Sequence, residues 1–469
     1  MRKKVILYLA PLLLSLLCSA KPKRSIEGFE EWLGVYIKNQ KVGFSFTSLK
    51  KYPDYYKVKN RMKMRLGVMG TSQELLTTLE GKLYPDLSLK DFYFDLVSRE
   101  HRFRVYGLHR GKDIHLKIET GGKTTEQDIK VGDKVYLPVV LGVLITKEGL
   151  KPGKRYRLNI FDPTILSSAI AEVVVDGKEE IEIGGKTYKA TKVHSTLLGM
   201  TSTTWLDSIG ATLKETSPPG IVMVRQSPEE ALAEESTQVY LDIISLFSIK
   251  PDIEIDNPRE CGYLKLRLLN IDTTLLDLED NTQHILSLHP LTLEIKSAEL
   301  GPFSLTLPIK RERRFLRPSL YIQSDDPEIK RKAKEIIGDT KGATEAAEKL
   351  LDWVYRNIEK RATASVPSAV DVLKTREGDC NEHSILYAAL CRAVGIPAKI
   401  VVGLVYLNDA FYYHAWNKVY LGEWIPVDPT FGEFPADATH IKLKEGELEE
   451  QAKVLKVVGN LKIKIAEYR

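Results

Sequence analysis

The 469-residue chain has only four cysteines, which excludes a disulfide-dense scaffold. It lacks a marked excess of either charge, with 68 Lys and Arg against 63 Asp and Glu. No internal repeat is visible. With 31 Gly and 22 Pro it is not collagen-like, and 43% hydrophobic with 28% charged residues fits neither a disordered nor a polytopic membrane chain. At this length two or three domains are expected, with cores large enough to do without disulfides.

The N-terminus holds an apolar run, Val5–Leu17, behind Arg2-Lys3-Lys4. A spanning helix needs roughly 20 apolar residues, so a permanent anchor is not implied. Small residues follow, Cys18-Ser19-Ala20, and then the polar Lys21-Pro22-Lys23-Arg24. This is the pattern of a secretory signal peptide over 1–20, cleaved after Ala20, and it predicts a periplasmic or extracellular protein. Lipidation at Cys18 is the alternative, but Leu17 is large where that signal wants a small residue. Residues 1–20 contain three basic residues and no acid, so the remainder carries a net charge of +2. No nucleic-acid partner is implied. Abundant Lys and Glu with few Asn and Gln add a thermophile-like bias.

Residues 21–225 read as a mostly antiparallel β region, a barrel or sandwich. Val58, Met62 and Met64 alternate with charged residues, as do Ile114, Leu116 and Ile118 before Gly121-Gly122. Val173–Val175, Asp176-Gly177, Ile181–Ile183 and Gly184-Gly185 suggest successive hairpins. Ser227–Glu235 is a short helix or linker. Residues 226–318 form a second β-rich segment, either a separate domain or a continuation of the first. The basic run Lys310–Arg314 reads as a solvated linker.

From 319 to 469 the pattern turns helical and then mixed. Asp326-Pro327 opens one helix and Gly338 ends it. Ala347, Leu350, Leu351, Val354 and Ile358 mark a second helix, and Ser368–Thr375 a third. Asp379 precedes another helical pattern with Glu382 three residues on, an Asp variant of the capping box, which makes Cys380 the first helical residue. A thiol there feels the positive end of the helix, which favours the thiolate. Free N–H groups at that end can stabilise an oxyanion. Lys399–Leu407, Phe411–Leu421 and Trp424–Asp428 read as strands. A centred turn at Gly422-Glu423 would set Asp428 opposite Asn417, so contact with His414 requires a diagonal approach, twist or bulge. The order Cys380, His414, Asp428 suits a nucleophile, a base and a carboxylate that orients the base.

Gly378-Asp379-Cys380-Asn381-Glu382-His383, Arg392–Ala398, His414-Ala415-Trp416 and Trp424–Thr430 together resemble the transglutaminase-like superfamily over about residues 320–435. The resemblance implies a papain-like α+β core whose Cys380 helix packs on an antiparallel sheet. It assigns Cys380 as nucleophile, His414 as general base and then acid, and Asp428 as the residue orienting His414. It implies chemistry on protein or peptide amides through a thioester, released by water or by an amine. No cofactor is implied. Trp416 and Asn417 are candidates for the oxyanion or substrate groove, with core packing and strand surface as their alternatives. Glu382 is a cap and His383 a helix residue; His440 is a surface residue, with an approach to the cleft as the alternative.

Cys391 is eleven residues after Cys380, roughly 16 Å along a helix, which excludes a bridge between them. The same distance argues against a zinc site built from Cys380, His383, Cys391 and His414. Buried thiols at Cys261 and Cys391 are favoured over a bridge between them. The rival to an enzyme is a non-catalytic interaction protein that binds cell-envelope components and keeps a degenerate core.

Overall fold

A computed structural model describes residues 28–233 and 248–469, apart from 69–70, 100, 219, 275, 302–303, 362–365, 367, 448–449, 452–453 and 455–460. The expected signal peptide and Cys18 lie outside the described residues. No helix among those described is long and apolar enough to cross a membrane.

Fourteen antiparallel strands between Gly28 and Arg225 form one sheet. The first eight are neighbours in chain order, and so are the last six. The two runs meet where Gly28–Ile37 pairs with Ile221–Arg225. Alternation creates the inner face: His101–Arg110 buries Phe103 and Val105 and exposes Arg102 and Tyr106. Phe92 and Phe161 come from distant strands of the sheet, yet their rings lie 5.5 Å apart, so the sheet curls over its own core. Among the described residues no ladder joins the outer strands Lys123–Lys130 and Arg155–Asp162. The sheet is sandwich-like and not a closed barrel. Lys123, Glu126, Asp128 and Lys130 charge one open edge, which discourages pairing with another chain.

Glycine pairs make the tight hairpins. Gly121-Gly122 and Gly184-Gly185 all have positive φ, which a two-residue turn of the favoured hand requires. Asp176-Gly177 is no turn. Ser167–Ile183 is one 17-residue strand, and the ladder shifts by a residue between Val175 and Gly177. A bulge has the same local sequence as a turn but lets the strand continue.

The second β segment is not an extension of this sheet. Tyr263–Leu269, Gln283–Leu288 and Leu291–Lys296 form a separate sheet completed by the C-terminal strand Lys462–Tyr468. Between the two sheets, Ser227 and Glu230 form a capping box at the helix Pro228–Leu232.

The remaining residues form the α+β core. Asp326 caps Pro327–Ile337 through the Glu328 N–H, at 2.8 Å. Ala343–Asn357 and Ala369–Thr375 follow. Cys380–Ala393 runs among these three helices and against the strand Ala410–Tyr420. Its residues from Glu382 to Cys391 are all buried, as expected of a helix enclosed on every side. The sheet order is Trp424–Val427, Ala410–Tyr420, Ala398–Leu407, Ile441–Glu445. Cys261 and Cys391 are buried and unbridged.

The large sheet touches this core near the Cys380 helix. Arg99 lies 3.6 Å from Glu377, and Lys123 lies 2.8 Å from Asp326. At Gly121 a Cβ would come within 2.5 Å of Ser368 Oγ, so the hairpin tip fits only as glycine.

Candidate active site

The start of the Cys380 helix is fixed by its caps. The Asp379 carboxylate accepts from the Asn381 N–H at 2.8 Å, and the Glu382 carboxylate accepts from the Asp379 N–H at 3.0 Å. This is the reciprocal capping box expected of the sequence. Cys380 is the first helical residue and partly exposed, whereas His383 is buried with Nδ1 2.7 Å from the Asp379 carbonyl.

Two side chains then tie the helix to the neighbouring strand. Ser384 Oγ donates to the Ala415 carbonyl at 3.0 Å. Asn417 Nδ2 donates to the Ser384 carbonyl at 3.0 Å. The Cys380 thiol itself meets the backbone of Ala415, the residue after His414. Asn417 is fully buried, so it is a clamp between helix and sheet and not a groove residue. Trp416 is also buried, with its ring stacked beside His414 at 6.2 Å, so it packs behind the site and does not wall a groove. Gly403, opposite His414 on the next strand, makes room for that indole. A Cβ there would meet the Trp416 ring at 2.9 Å.

The ladder pairs Asn417 with Val427, one residue away from the centred register. The turn is three residues long, Leu421 to Glu423, and Gly422 takes a positive φ within it. Asp428 therefore follows beyond the last ladder pair and reaches His414 diagonally. His414 Nε2 donates to Asp428 Oδ2 at 2.6 Å. The other carboxylate oxygen accepts from the N–H groups of Thr430 and Phe431 at 2.7 and 3.2 Å. Asp428 and Glu433 exchange backbone hydrogen bonds of 2.9 and 3.0 Å, which close the loop between them. Phe431, from that loop, stacks on His414 at 4.9 Å. Gly432 takes φ +77° in the same loop, and a Cβ there would strike the Tyr355 ring.

His440 takes the cleft-side alternative and not the surface: it is buried and joins this network. Its Nε2 is 3.0 Å from the same Asp428 oxygen that His414 contacts. Its Nδ1 is 3.2 Å from the Asp437 carbonyl. The contact depends on how the loop folds back between Asp428 and His440.

Burial alone would raise the Asp428 carboxyl, but the imidazoles of His414 and His440 outweigh it and hold the group well below the usual carboxylate range. Burial pushes the Cys380 thiol well up, the Asp379 carboxylate adds to this, and the Ala415 backbone opposes it. Burial thus opposes the pull of the helix N-terminus toward the thiolate. Burial also disfavours charge on His440, yet Asp437, Asp428 and Glu433 outweigh it and push the imidazole up to about 10.

The proposed zinc ligands Cys380, His383, Cys391 and His414 form no cluster among the described residues. His414, Asp428 and His440 do offer atoms within 4.8 Å of one another, and so do Glu433, Asp437 and His440. Asp428, shared by both imidazoles, already accepts from ring and backbone N–H groups, so the arrangement is a hydrogen-bond network more than a cation cage.

Residues 330–429 match the transglutaminase-like superfamily. The chain is 30% identical over 108 residues to kyphoscoliosis peptidase of Mus musculus, which covers 19% of this chain and 16% of that protein. It is 30% identical over 98 residues to the Homo sapiens protein of the same name, covering 17% and 14%. The chain thus spans only about a sixth of the length of these relatives. Among solved structures, a proposed cysteine protease from Cytophaga hutchinsonii is 22% identical with a TM-score of 0.31, over 45% of this chain and 87% of that one. A β-barrel-like protein from Brucella abortus is 12% identical with a TM-score of 0.35, over 42% and 94%.

Proposed function

Since residues 330–429 form a transglutaminase-like domain, we propose that the protein is an exported thiol enzyme that cleaves or transfers amide groups of proteins or peptides. The observation that carries this reading is the 2.6 Å bond from His414 to Asp428 beside the capped start of the Cys380 helix. With Nε2 engaged by Asp428, the tautomer leaves the Nδ1 lone pair to take the thiol proton. The Cys380 sulfur attacks the amide carbonyl carbon, and the proton passes through His414 to the leaving amine. The C–N bond breaks and a thioester remains. Water, or a second amine, then attacks the thioester as His414 takes its proton. The proton returns to the Cys380 sulfur as the acyl group departs. Water is the acceptor favoured by the relatives named as peptidases.

The large sheet presents or restricts the substrate. Its Arg99 sits against Glu377, three residues before the nucleophile. Export follows from the signal pattern in residues 1–20 and directs the enzyme toward cell-envelope or extracellular polypeptides.

The test is to incubate peptide mixtures with the wild type and with Cys380→Ala, with and without a primary amine, and to weigh the products. Cleaved or deamidated peptides that need Cys380 support hydrolysis, and amine adducts that need it support transfer. Absence of any Cys380-dependent product, together with retained binding of envelope components, would favour the non-catalytic interaction protein.

A further inference from the structure

His440 is absent from the roles assigned above, yet it is better enclosed than His414. It is 5% exposed, and both of its ring nitrogens face acceptors. Nε2 meets Asp428 Oδ2 at 3.0 Å. Nδ1 meets the Asp437 carbonyl at 3.2 Å, with Asp437 Oδ1 at 3.5 Å and Glu433 Oε2 at 4.0 Å. A neutral imidazole has one donor and one acceptor nitrogen, so one of these contacts would set two acceptors against each other. The imidazolium alone donates at both ends.

The surrounding charges agree. Arg259 lies 3.0 Å from Glu433 and 3.1 Å from Asp437. Asp428 and Asp437, both held below the usual carboxylate range, and Glu433, which burial pushes up to about 7, thus face two cations, Arg259 and His440. The other neighbours are the His414 ring, centred 5.9 Å away, and the uncharged rings of Trp416 and Phe431 at 5.2 and 6.4 Å.

We infer that His440 is a permanently charged positioning residue that shares the Asp428 carboxylate with His414 and so sets the pH at which the Cys380–His414 pair exchanges its proton. One buried carboxylate serving one imidazole would draw a proton strongly onto His414 and leave the thiol deprotonated. A second cation on the same oxygen offsets that pull. The protonated thiol favoured at rest by its burial agrees with this. The inference rests on Cys380 and His414 being the reacting pair, but its tests do not require turnover.

The first test uses the unmodified protein. Long-range nitrogen–proton NMR should find one imidazole, assigned to His440, with both ring nitrogens protonated at pH 8. A neutral His440 at that pH would overturn the inference. The second test follows alkylation of Cys380 by iodoacetamide against pH in the wild type, His440→Gln and His440→Lys, with folding checked by circular dichroism. At this separation, loss of the charge should raise the alkylation rate near pH 6 on the order of ten- to a hundredfold. His440→Lys should restore the wild-type profile. Equal slowing in both folded variants with no displacement along the pH axis would reduce His440 to a packing residue and overturn the inference. If His440→Gln does not fold, Asp437→Asn should shift the profile in the same direction. Stoichiometric inhibition by added zinc that His440→Gln abolishes, with an unmoved pH profile, would instead make this a metal site. If the charge and the shift are found but no peptide is ever turned over, the assignment of His440 stands and the enzyme reading fails.

Discussion

His414 Nε2 donates to Asp428 Oδ2 at 2.6 Å although the two residues are not partners in the sheet. The bond exists because Asp428 leaves the ladder and is held by the N–H groups of Thr430 and Phe431. Asp428→Asn keeps the shape of the side chain but weakens control of the His414 tautomer. Turnover, measured as kcat/KM on a peptide found to be cleaved, should fall by about ten-thousandfold, as when the orienting carboxylate of a serine triad is replaced. A variant that retains a tenth of the activity would show that Asp428 does not orient the base.

The three thiols should label in an order set by access. Cys380 is partly exposed, whereas Cys261 and Cys391 are 4% and 0% exposed. Burial and Asp379 raise the Cys380 thiol above its ordinary range, so its thiolate appears only as the pH climbs past that range. In the free protein, alkylation at pH 6 should therefore be slow and should rise steadily through the alkaline region. Peptide mapping by mass spectrometry gives the order and the profile. A fast Cys380 reaction at pH 6 would mean that a thiolate is present at rest.

The Cys380 helix and its neighbours are legible in the sequence because the signals are local. The cap residues Asp379 and Glu382 and the strand alternation depend on residues a few positions apart. The place of Cys380 at a helix start could be read for the same reason. What sequence could not supply was distance through space. His440 reaches Asp428 only after the loop closes on Glu433, so the sequence leaves it between surface and cleft. The Ser384 carbonyl that Asn417 serves belongs to the helix, 33 residues away in sequence, so strand spacing does not reveal it. The bulge at Asp176-Gly177 resembles a turn, and only the partner strand distinguishes the two. The C-terminal strand likewise carries no mark of its partner, Tyr263–Leu269, which lies nearly two hundred residues earlier.

Asn417 offers a direct test of the tie between helix and sheet. Its amide donates to the Ser384 carbonyl in a fully buried setting, so Asn417→Ala removes that tie while the carbonyl keeps its helical bond. Chemical denaturation should show a loss of about 0.5–1.5 kcal/mol from the missing hydrogen bond. A groove residue would instead change KM with little loss of stability. A raised KM at unchanged stability would return Asn417 to the substrate site.

The large sheet contains its own pH-dependent group. Glu31 is 8% exposed and accepts from the Thr212 N–H at 2.6 Å, with Arg225 only at 4.0 Å. Burial dominates, and the carboxyl is pushed up to about 7 from an ordinary 4.5. The folded protein therefore holds a proton at Glu31 that the unfolded chain releases between those two values. Where the folded state binds more protons, stability falls as pH rises. The Glu31 contribution is thus most favourable below pH 4.5, declines through the interval and levels off above 7. Glu31→Gln keeps an acceptor for the Thr212 N–H but removes the titration. Relative to the wild type, the variant should gain stability between pH 5 and pH 8, by up to about 3 kcal/mol. Denaturant unfolding at the two pH values measures the difference. An equal response of both proteins to pH would mean that Glu31 is ionised in the folded sheet and that Arg225 compensates it fully.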